Sequence, residues 1–321
     1  MPTYNRLTRE QRYSIETMND SGYGPTAIAR TIGVHPSTVS RELRRLGDEA
    51  PYCYVAADQH AKGCQGKGQS IDESLLAIVE AKLREEQWSP EQMSAWITKE
   101  GLGSMSHETI YQHIYRDKAS GGNLHTNLRH RCKSYRKRGA QRERRGHLKD
   151  QVMIDQRPAV VDERSRLGDW EMDTVIGRPG GPVLVTMVER VSRYTLIRLA
   201  RSKEAIQVSA AICSGLCDHR DKVLTQTYDN GKEFALHGLL ADVLECDCYF
   251  AHPYHSWERG LNENTNGLIR QYFPKGTNFA EVSPEEVAEV EAKLNRRPRK
   301  CLDYQTPNDI FFAPPPVALA A

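Results

Sequence analysis

The run GDWEMDTVIGRPGGPVLVTMVERVSRYTLIRLA, residues 168–200, decides the fold. It holds three short segments rich in Val, Ile, Thr and Tyr, at 170–176, 183–189 and 194–200, separated by a Gly/Pro turn and a Ser-Arg turn. β-Branched and aromatic residues suit a pleated, half-buried surface, and connections this short join neighbours, so an antiparallel meander is expected. Downstream, strand-like segments at 224–228 and 248–251 alternate with helical patterns at 203–217, 232–243, 257–272 and 284–295. Three strands followed by alternating helices and strands point to an α/β layer built on a mixed five-stranded sheet.

Within the first segment, Asp169, Glu171 and Asp173 alternate with Trp170 and Met172, so a strand turns three acids to one face. An edge strand with a solvated face has the same pattern, and the pattern alone leaves that alternative open. A second acid, Asp229, ends the strand-like part of LTQTYDNGKEF (224–234), where Asn230-Gly231 turns the chain toward a helix. A third lies in HPYHSWERGLNENTNGLIR (252–270). In a helix, Trp257, Leu261, Leu268 and Tyr272 form an apolar stripe, while Arg259, Glu263, Asn266 and Arg270 project from the opposite side. Asn is a poor helix former, so its repeated use here points to a task beyond forming the helix.

Upstream of this core the periodicity is helical. Thr8-Arg-Glu-Gln11 is a capping box for a helix running to about Asp20. Ile28, Ala29 and Ile32 supply a second stripe, Gly33 the turn, and Pro36 opens a third helix with Val39 and Leu43 facing inward. This helix-turn-helix, over residues 1–48, is expected to place Ser37, Thr38, Ser40 and Arg41 at base edges and Arg44 and Arg45 at phosphates. A second helical, helix-turn-helix-like domain is expected over 70–120. Ser89-Pro-Glu-Gln92 caps one of its helices, and Ser106 caps another that carries Thr109 and Arg116 outward. A linker follows at 121–160. Ten cations, Arg136, Lys137 and Arg138 among them, stand between Arg129 and Lys149 against the single acid Glu143, a signature of polyanion binding. The core is then expected over 161–313, with a tail at 314–321.

The totals exclude other classes. At 321 residues the chain exceeds what one hydrophobic core organises, so two or three domains are expected. No apolar run approaches the roughly 18–20 residues of a bilayer span, and the first residues carry no apolar signal core, which implies a cytoplasmic address. Eight cysteines form no Cys-x-x-Cys pair, so neither a zinc ribbon nor a disulfide framework is signalled. The net charge of +2 hides the basic segment.

Together Trp170-Glu-x-Asp173, Asp229-Asn-Gly-x-Glu-Phe234, His252-Pro-Tyr254, Trp257-Glu-Arg-Gly-x-Asn-Glu-Asn-x-Asn-Gly-Leu-Ile-Arg270, Tyr272-Phe-Pro-Lys-Gly-Thr277, Asn295-Arg-Arg-Pro-Arg-Lys300 and Tyr304-x-Thr-Pro307 resemble the IS-thirty family of bacterial insertion-sequence transposases. That family lies within the DDE recombinases, which share a ribonuclease-H-like core. The 33 residues between Asp229 and Glu263 match its spacing, whereas Met172 stands where relatives usually carry Gly. The resemblance implies a catalytic, metal-holding triad of Asp173, Asp229 and Glu263, rather than Glu171 or Glu258. It further implies two Mg²⁺ ions, replaceable by Mn²⁺, with Asp173 bridging both. Arg259, Arg270 and Lys275 are expected to position phosphate, and His252 and His255 to assist with DNA or metal or to stabilise their turn. The partners implied are double-stranded DNA, both element ends and target, and at least a second copy of the chain in the working complex. Two alternatives stay open: a helix-turn-helix regulator with an inert core, and a hydrolytic nuclease that cuts without joining.

Overall fold

The computed structural model describes residues 6–46, 51–63, 72–129, 150–253 and 255–314. The chain divides into two compact units, Met1–Glu73 and Ser74–Ala321.

In the first unit, α1 (Arg9–Asp20) starts at the Thr8/Gln11 capping box, with both reciprocal hydrogen bonds made. Helix α2 (Pro25–Ile32) ends at Gly33, whose φ of 70° lies in the left-handed region that an L-residue enters at a cost. This tight turn lets α3 (Pro36–Leu43) begin only three residues later, capped by His35, whose Nδ1 accepts from Ser37 N–H. A fourth helix, α4 (Tyr54–Gly63), packs against α1. Leu7, Ile15, Ile28, Ala29, Val39 and Ala57 form the core. A buried ion network braces it: Arg12 Nε reaches Glu42 at 2.7 Å and Nη1 reaches Asp58 at 3.0 Å, while Arg45 takes the second oxygen of Glu42 at 2.8 Å. One guanidinium thereby ties α1 to both α3 and α4.

The second unit opens with α5 (Glu73–Ala81), a π-helical turn at Lys82–Glu86, α6 (Pro90–Lys99) and α7 (His107–Ala119). Gln87, at φ 52°, ends the π turn and leaves the carbonyls of Glu86 and Gln87 without helical partners. Both are satisfied by Arg297 Nη2 at 3.1 Å, and this buried side chain also bonds Gln271 and Tyr272. Arg297, with Gln271, Tyr272 and the Lys300–Glu91 ion pair beside it, thus docks the helical region on the sheet-bearing part.

After α8 (Ala159–Glu163) come β1 (Asp169–Ile176), β2 (Val183–Glu189) and β3 (Thr195–Ala200), the expected meander. Then follow α9 (Ala205–Leu216), β4 (Thr225–Tyr228), α10 (His237–Leu244), β5 (Asp247–Phe250), α11 (Gly260–Tyr272), α12 (Pro284–Asn295) and α13 (Pro307–Phe311). The sheet is mixed and five-stranded, in the order β3-β2-β1-β4-β5, with β1-β4 and β4-β5 parallel. Sequence alternation sorts its two faces. Trp170, Met172, Val183, Val185 and Met187 point into one core with α9, α10 and α13. Val175, Leu184 and Ile197 point into the other with Leu268 and Ile269 of α11 and Val287, Val290 and Leu294 of α12. Side chains two apart share a face, so the three acids of β1 lie on the α11 side.

Two boundaries differ from the sequence expectation. Residues 232–243 divide into a 3₁₀ turn at Lys232–Phe234 and α10, and residues 256–259 form a 3₁₀ turn before α11. The N-cap of α11 is Arg259, whose side chain makes no cap hydrogen bond, and the helical pattern loses its first turn to the 3₁₀ segment.

Candidate active site

β1 and β4 are parallel neighbours, paired from Asp169↔Thr225 to Glu171↔Thr227, so Asp173 and Asp229 both lie just beyond the last paired residues, at the same end of the two strands. Asp173 sits opposite Thr186 on β2. Its Oδ1 accepts from Thr174 N–H at 2.8 Å, and its Oδ2 accepts from the Asn266 side-chain amide at 2.9 Å. Asp229 is held by its own turn: Gly231 N–H donates to Oδ1 at 2.8 Å, leaving Oδ2 facing Arg259 Nη2 at 3.4 Å. A Cβ at position 231 would meet the carboxylates of Asp229 and Glu233 within 2.4–2.7 Å, so any larger residue would displace those side chains. Arg259 Nη1 donates to Met172 O at 2.9 Å and lies 3.8 Å from Asp173 Oδ2. One guanidinium therefore stands against both aspartates.

Burial raises the pKa of Asp173 above the ordinary carboxylate range; Arg259 opposes the rise and the charge of Asp229 adds to it. Two carboxylates of this kind call for a cation between them. Their donor set is hard oxygen only, which suits a divalent cation of the Mg²⁺ type, and Arg259 stands in as the positive charge.

Glu263 is exposed, on α11. It lies three residues before Asn266, whose side chain touches Asp173, and on a helix such neighbours share one face. The other acids of β1 are engaged in buried pairs. Glu171 accepts from Arg190 Nη1 at 2.5 Å and from Asn262 N–H at 3.3 Å, and burial raises its pKa against the pull of Arg190. Asp169 is bonded by Arg166 and Thr225. Glu258 is bound to His252 instead.

The remaining expected site residues are dispersed. Arg270 donates to Ile176 O and Pro274 O, bracing the end of β1, and burial lowers its pKa. Lys275 is exposed in the 274–277 turn. On α3 and the 3₁₀ turn Arg44–Leu46 that follows it, Arg41 and Arg44 are exposed, whereas Ser37 is bonded to the His35 ring, Ser40 to Pro36 O and Arg45 to Glu42. Thr38 and Arg41 line a cavity of about 300 Å³ with Arg6, Arg12 and Arg45. On α7, Thr109 is bonded to the capping Ser106 and Arg116 is exposed. Arg136, Lys137 and Arg138 lie outside the described residues. The first cation of that basic run, Arg129, lies against Asn264 at 3.5 Å, and a side chain at Gly267 would meet its guanidinium at 2.6 Å.

Three contributors escaped the sequence reading. Glu233 is buried and accepts from Thr174 Oγ1 at 3.3 Å and from Lys203 Nζ at 2.8 Å, bracing the residue next to Asp173. Asp155 approaches His252 Nε2 at 2.8 Å. Only the run Asp229-Asn-Gly-Lys-Glu233 hinted at the first of these; Lys203 and Asp155 carry no local signal.

A helix-turn-helix domain family matches residues 3–46. Over 309 residues the chain is 43% identical to the transposase for insertion sequence element IS4351 of Bacteroides fragilis, covering 95% of each chain. It is 34% identical over 320 residues to transposase InsI for insertion sequence element IS30C of Escherichia coli (strain K12), covering 95% of this chain and 83% of that one. Among solved structures, the catalytic core domain of BIV integrase matches with a TM-score of 0.35 at 21% identity, covering 46% of this chain and 94% of that one. No helix among the described residues is long and apolar enough to cross a membrane.

Proposed function

We propose, from the premise that this chain belongs to the IS-thirty family of insertion-sequence transposases, that Asp173, Asp229 and Glu263 are the acids that hold its catalytic metal. The chain is a DNA-binding polynucleotidyl transferase of the DDE type, and the family's chemistry depends on a divalent metal. The observation that carries the assignment is the shared guanidinium: Arg259 faces both Asp173 and Asp229, while Glu263 lies on α11 one turn before Asn266, which bonds Asp173.

The group bound there is read as two Mg²⁺ ions, replaceable by Mn²⁺, which supply activation of the attacking hydroxyl and neutralisation of the leaving oxygen in an in-line displacement. The chain's own residues supply the rest. Asn266 and Thr174 fix the Asp173 carboxylate, the Gly231 amide fixes that of Asp229, and buried Glu233 locks Thr174 in place. Glu263, being exposed, completes the set from the helix. Arg259 is assigned to a DNA phosphate once its counter-ion role between the aspartates ends, and Lys275 to a phosphate at the exposed turn.

Recognition of the element ends is assigned to α3 and the turn after it, through Arg41 and Arg44, with the region around α7 and the basic segment, including Arg136, Lys137 and Arg138, tracking the backbone. The units proposed for these tasks are residues 1–48, 70–120, 121–160 and 161–313, followed by a tail at 314–321. The working complex joins two ends and is assigned at least two copies of the chain.

The test supplies pre-cleaved terminal-repeat DNA and Mg²⁺ to the wild type and to Asp173→Asn, Asp229→Asn and Glu263→Gln. Joined products from the wild type alone, with end binding retained by all four proteins, are expected. Transfer by any variant near the wild-type rate refutes the triad. Cleavage without joining by the wild type would favour the nuclease reading.

A further inference from the structure

The connection between β5 and α11 folds three metal-ligating side chains onto one point. His252 Nδ1 lies 3.0 Å from Glu258 Oε1, and His255 Nδ1 lies 3.3 Å from the same oxygen. Among the described residues, these three alone form a group of His, Cys, Asp or Glu side chains whose ligand atoms all lie within 4.8 Å of one another. Zinc bonds of about 2.0–2.1 Å to nitrogen and oxygen in tetrahedral geometry put ligand atoms roughly 3.3 Å apart. The two separations therefore resemble edges of such a tetrahedron.

The arrangement also has the outer support that metal-bound histidines use. Asp155 takes the far nitrogen of the His252 ring, Nε2, at 2.8 Å. A carboxylate there orients the ring and holds a proton on Nε2, so that a cation entering between His252 and Glu258 would displace only the Nδ1 proton they share. The backbone is pinned as well. Glu258 Oε2 accepts from His252 N–H at 2.8 Å, and the carbonyl of Ala251 accepts from the Asn230 side chain at 2.6 Å. All three ligand residues are half-buried, so a cation can enter without unfolding the loop.

We propose that His252, His255 and Glu258 form a second metal site, for a cation of the zinc type, separate from the acidic site. Two imidazole nitrogens and one carboxylate oxygen select Zn²⁺ or Co²⁺ over Mg²⁺, whereas the acids of the neighbouring site favour Mg²⁺. The fourth position is open to water. Bound metal cross-links the loop whose next residue is Arg259 and which Asn230 ties to the Asp229 turn, so it sets the rigidity of the catalytic segment from outside the reaction.

The experiment uses the full chain carrying Asp173→Asn and Asp229→Asn, which removes the acidic site, stripped with EDTA and titrated with Zn²⁺ and with Co²⁺. One equivalent per chain is expected, with the intense visible absorption of tetrahedral Co²⁺. His255→Ala in that background, with the fold shown intact by circular dichroism, should weaken Zn²⁺ binding at least tenfold. Asp155→Asn should weaken it by about 10- to 100-fold through the ring alone. Zn²⁺ affinity unchanged in both variants, no stoichiometric Zn²⁺ uptake, or an octahedral Co²⁺ spectrum would each overturn the proposal.

Discussion

Replacing Asp173 by Asn interrogates the acidic site through stability, before any DNA is added. An acid whose pKa is higher in the fold than in the unfolded chain contributes its stability in full below the unfolded value of about 3.9. That contribution is lost as pH rises through the folded value. Burial places Asp173 in this class, with Asp229 adding to the rise against Arg259. At neutral pH the ionised carboxylate is thus a cost to the metal-free protein, and Asn removes it. The geometry admits the change. Thr174 N–H still finds Oδ1. The new amide faces Asn266, which must turn its oxygen inward, and that reversal sets the Asn266 amide against the Thr186 hydroxyl, a group that accepts as well as donates. We expect the metal-free variant to gain about 1 kcal/mol, as relief of a functional site commonly gives. For a unit of this size that raises the melting temperature by about 2–4 °C.

Magnesium should reverse the order. A cation that binds only the folded state stabilises it by about 2.7 kcal/mol at a hundred times its dissociation constant. That is a rise of roughly 5–11 °C in the wild type, and the variant should lose most of it. Scanning calorimetry in EDTA and in saturating Mg²⁺ at neutral pH reads both effects, and the metal-free gap should close as the pH is lowered below about 4. A variant that melts below the wild type in EDTA, or that keeps the full Mg²⁺ shift, refutes the reasoning.

Glu171→Gln should cost about 1–3 kcal/mol, because it weakens a buried charge-assisted bond to Arg190, yet leave the Mg²⁺-induced rise in melting temperature intact; loss of that rise would move the metal site to Glu171. Glu42→Ala leaves Arg12 buried without its main partner and should cost the first unit about 3–5 kcal/mol, seen as fast amide exchange throughout α1–α4 and lost end binding; unchanged exchange would disprove the clamp. Arg41→Ala should weaken terminal-repeat binding by about 1–3 kcal/mol if the side chain makes a bidentate base contact, and equal discrimination between repeat and random DNA in variant and wild type would reject that role. Arg297→Ala removes one of the two donors to each of the Glu86 and Gln87 carbonyls and leaves Gln271 and Tyr272 without their buried donor; exchange should accelerate over 72–129 ahead of the sheet, and uniform protection would count against the docking role.

The features legible in the sequence are those with a short period or a fixed local geometry. Alternation on β1 gave both the strand and its acidic face, since Trp170 and Met172 had to be buried opposite the acids. The capping boxes at Thr8 and Ser89 placed two helix starts correctly, because both members of each box lie within one turn. What stayed hidden depends on residues far apart in the chain. Nothing local pairs Glu171 with Arg190, Glu233 with Lys203 or His252 with Asp155, yet these long-range ion pairs separate the acids that brace the site from those that face it.

Helix α11 shows why periodicity falters over the proposed site. Its stripe of Leu261 and Leu268 is buried as read, but Asn262, Thr265 and Gln271 are buried too. A helix laid over an ordinary sheet face would carry apolar residues at those positions. This one covers a strand bearing Glu171 and Asp173, and its polar side chains hydrogen-bond: Asn266 serves Asp173 and Gln271 reaches the carbonyls of Gln87 and Asn127, while Glu171 takes only the backbone N–H of Asn262. The helix is consequently polar on two sides, and its amphipathic signal understates how much of it is buried. Local rules are broken most where carboxylates must be held without being neutralised. The breach is itself the mark of the site: a helix rich in Asn, weak by propensity and stable by packing, laid against a buried acidic strand.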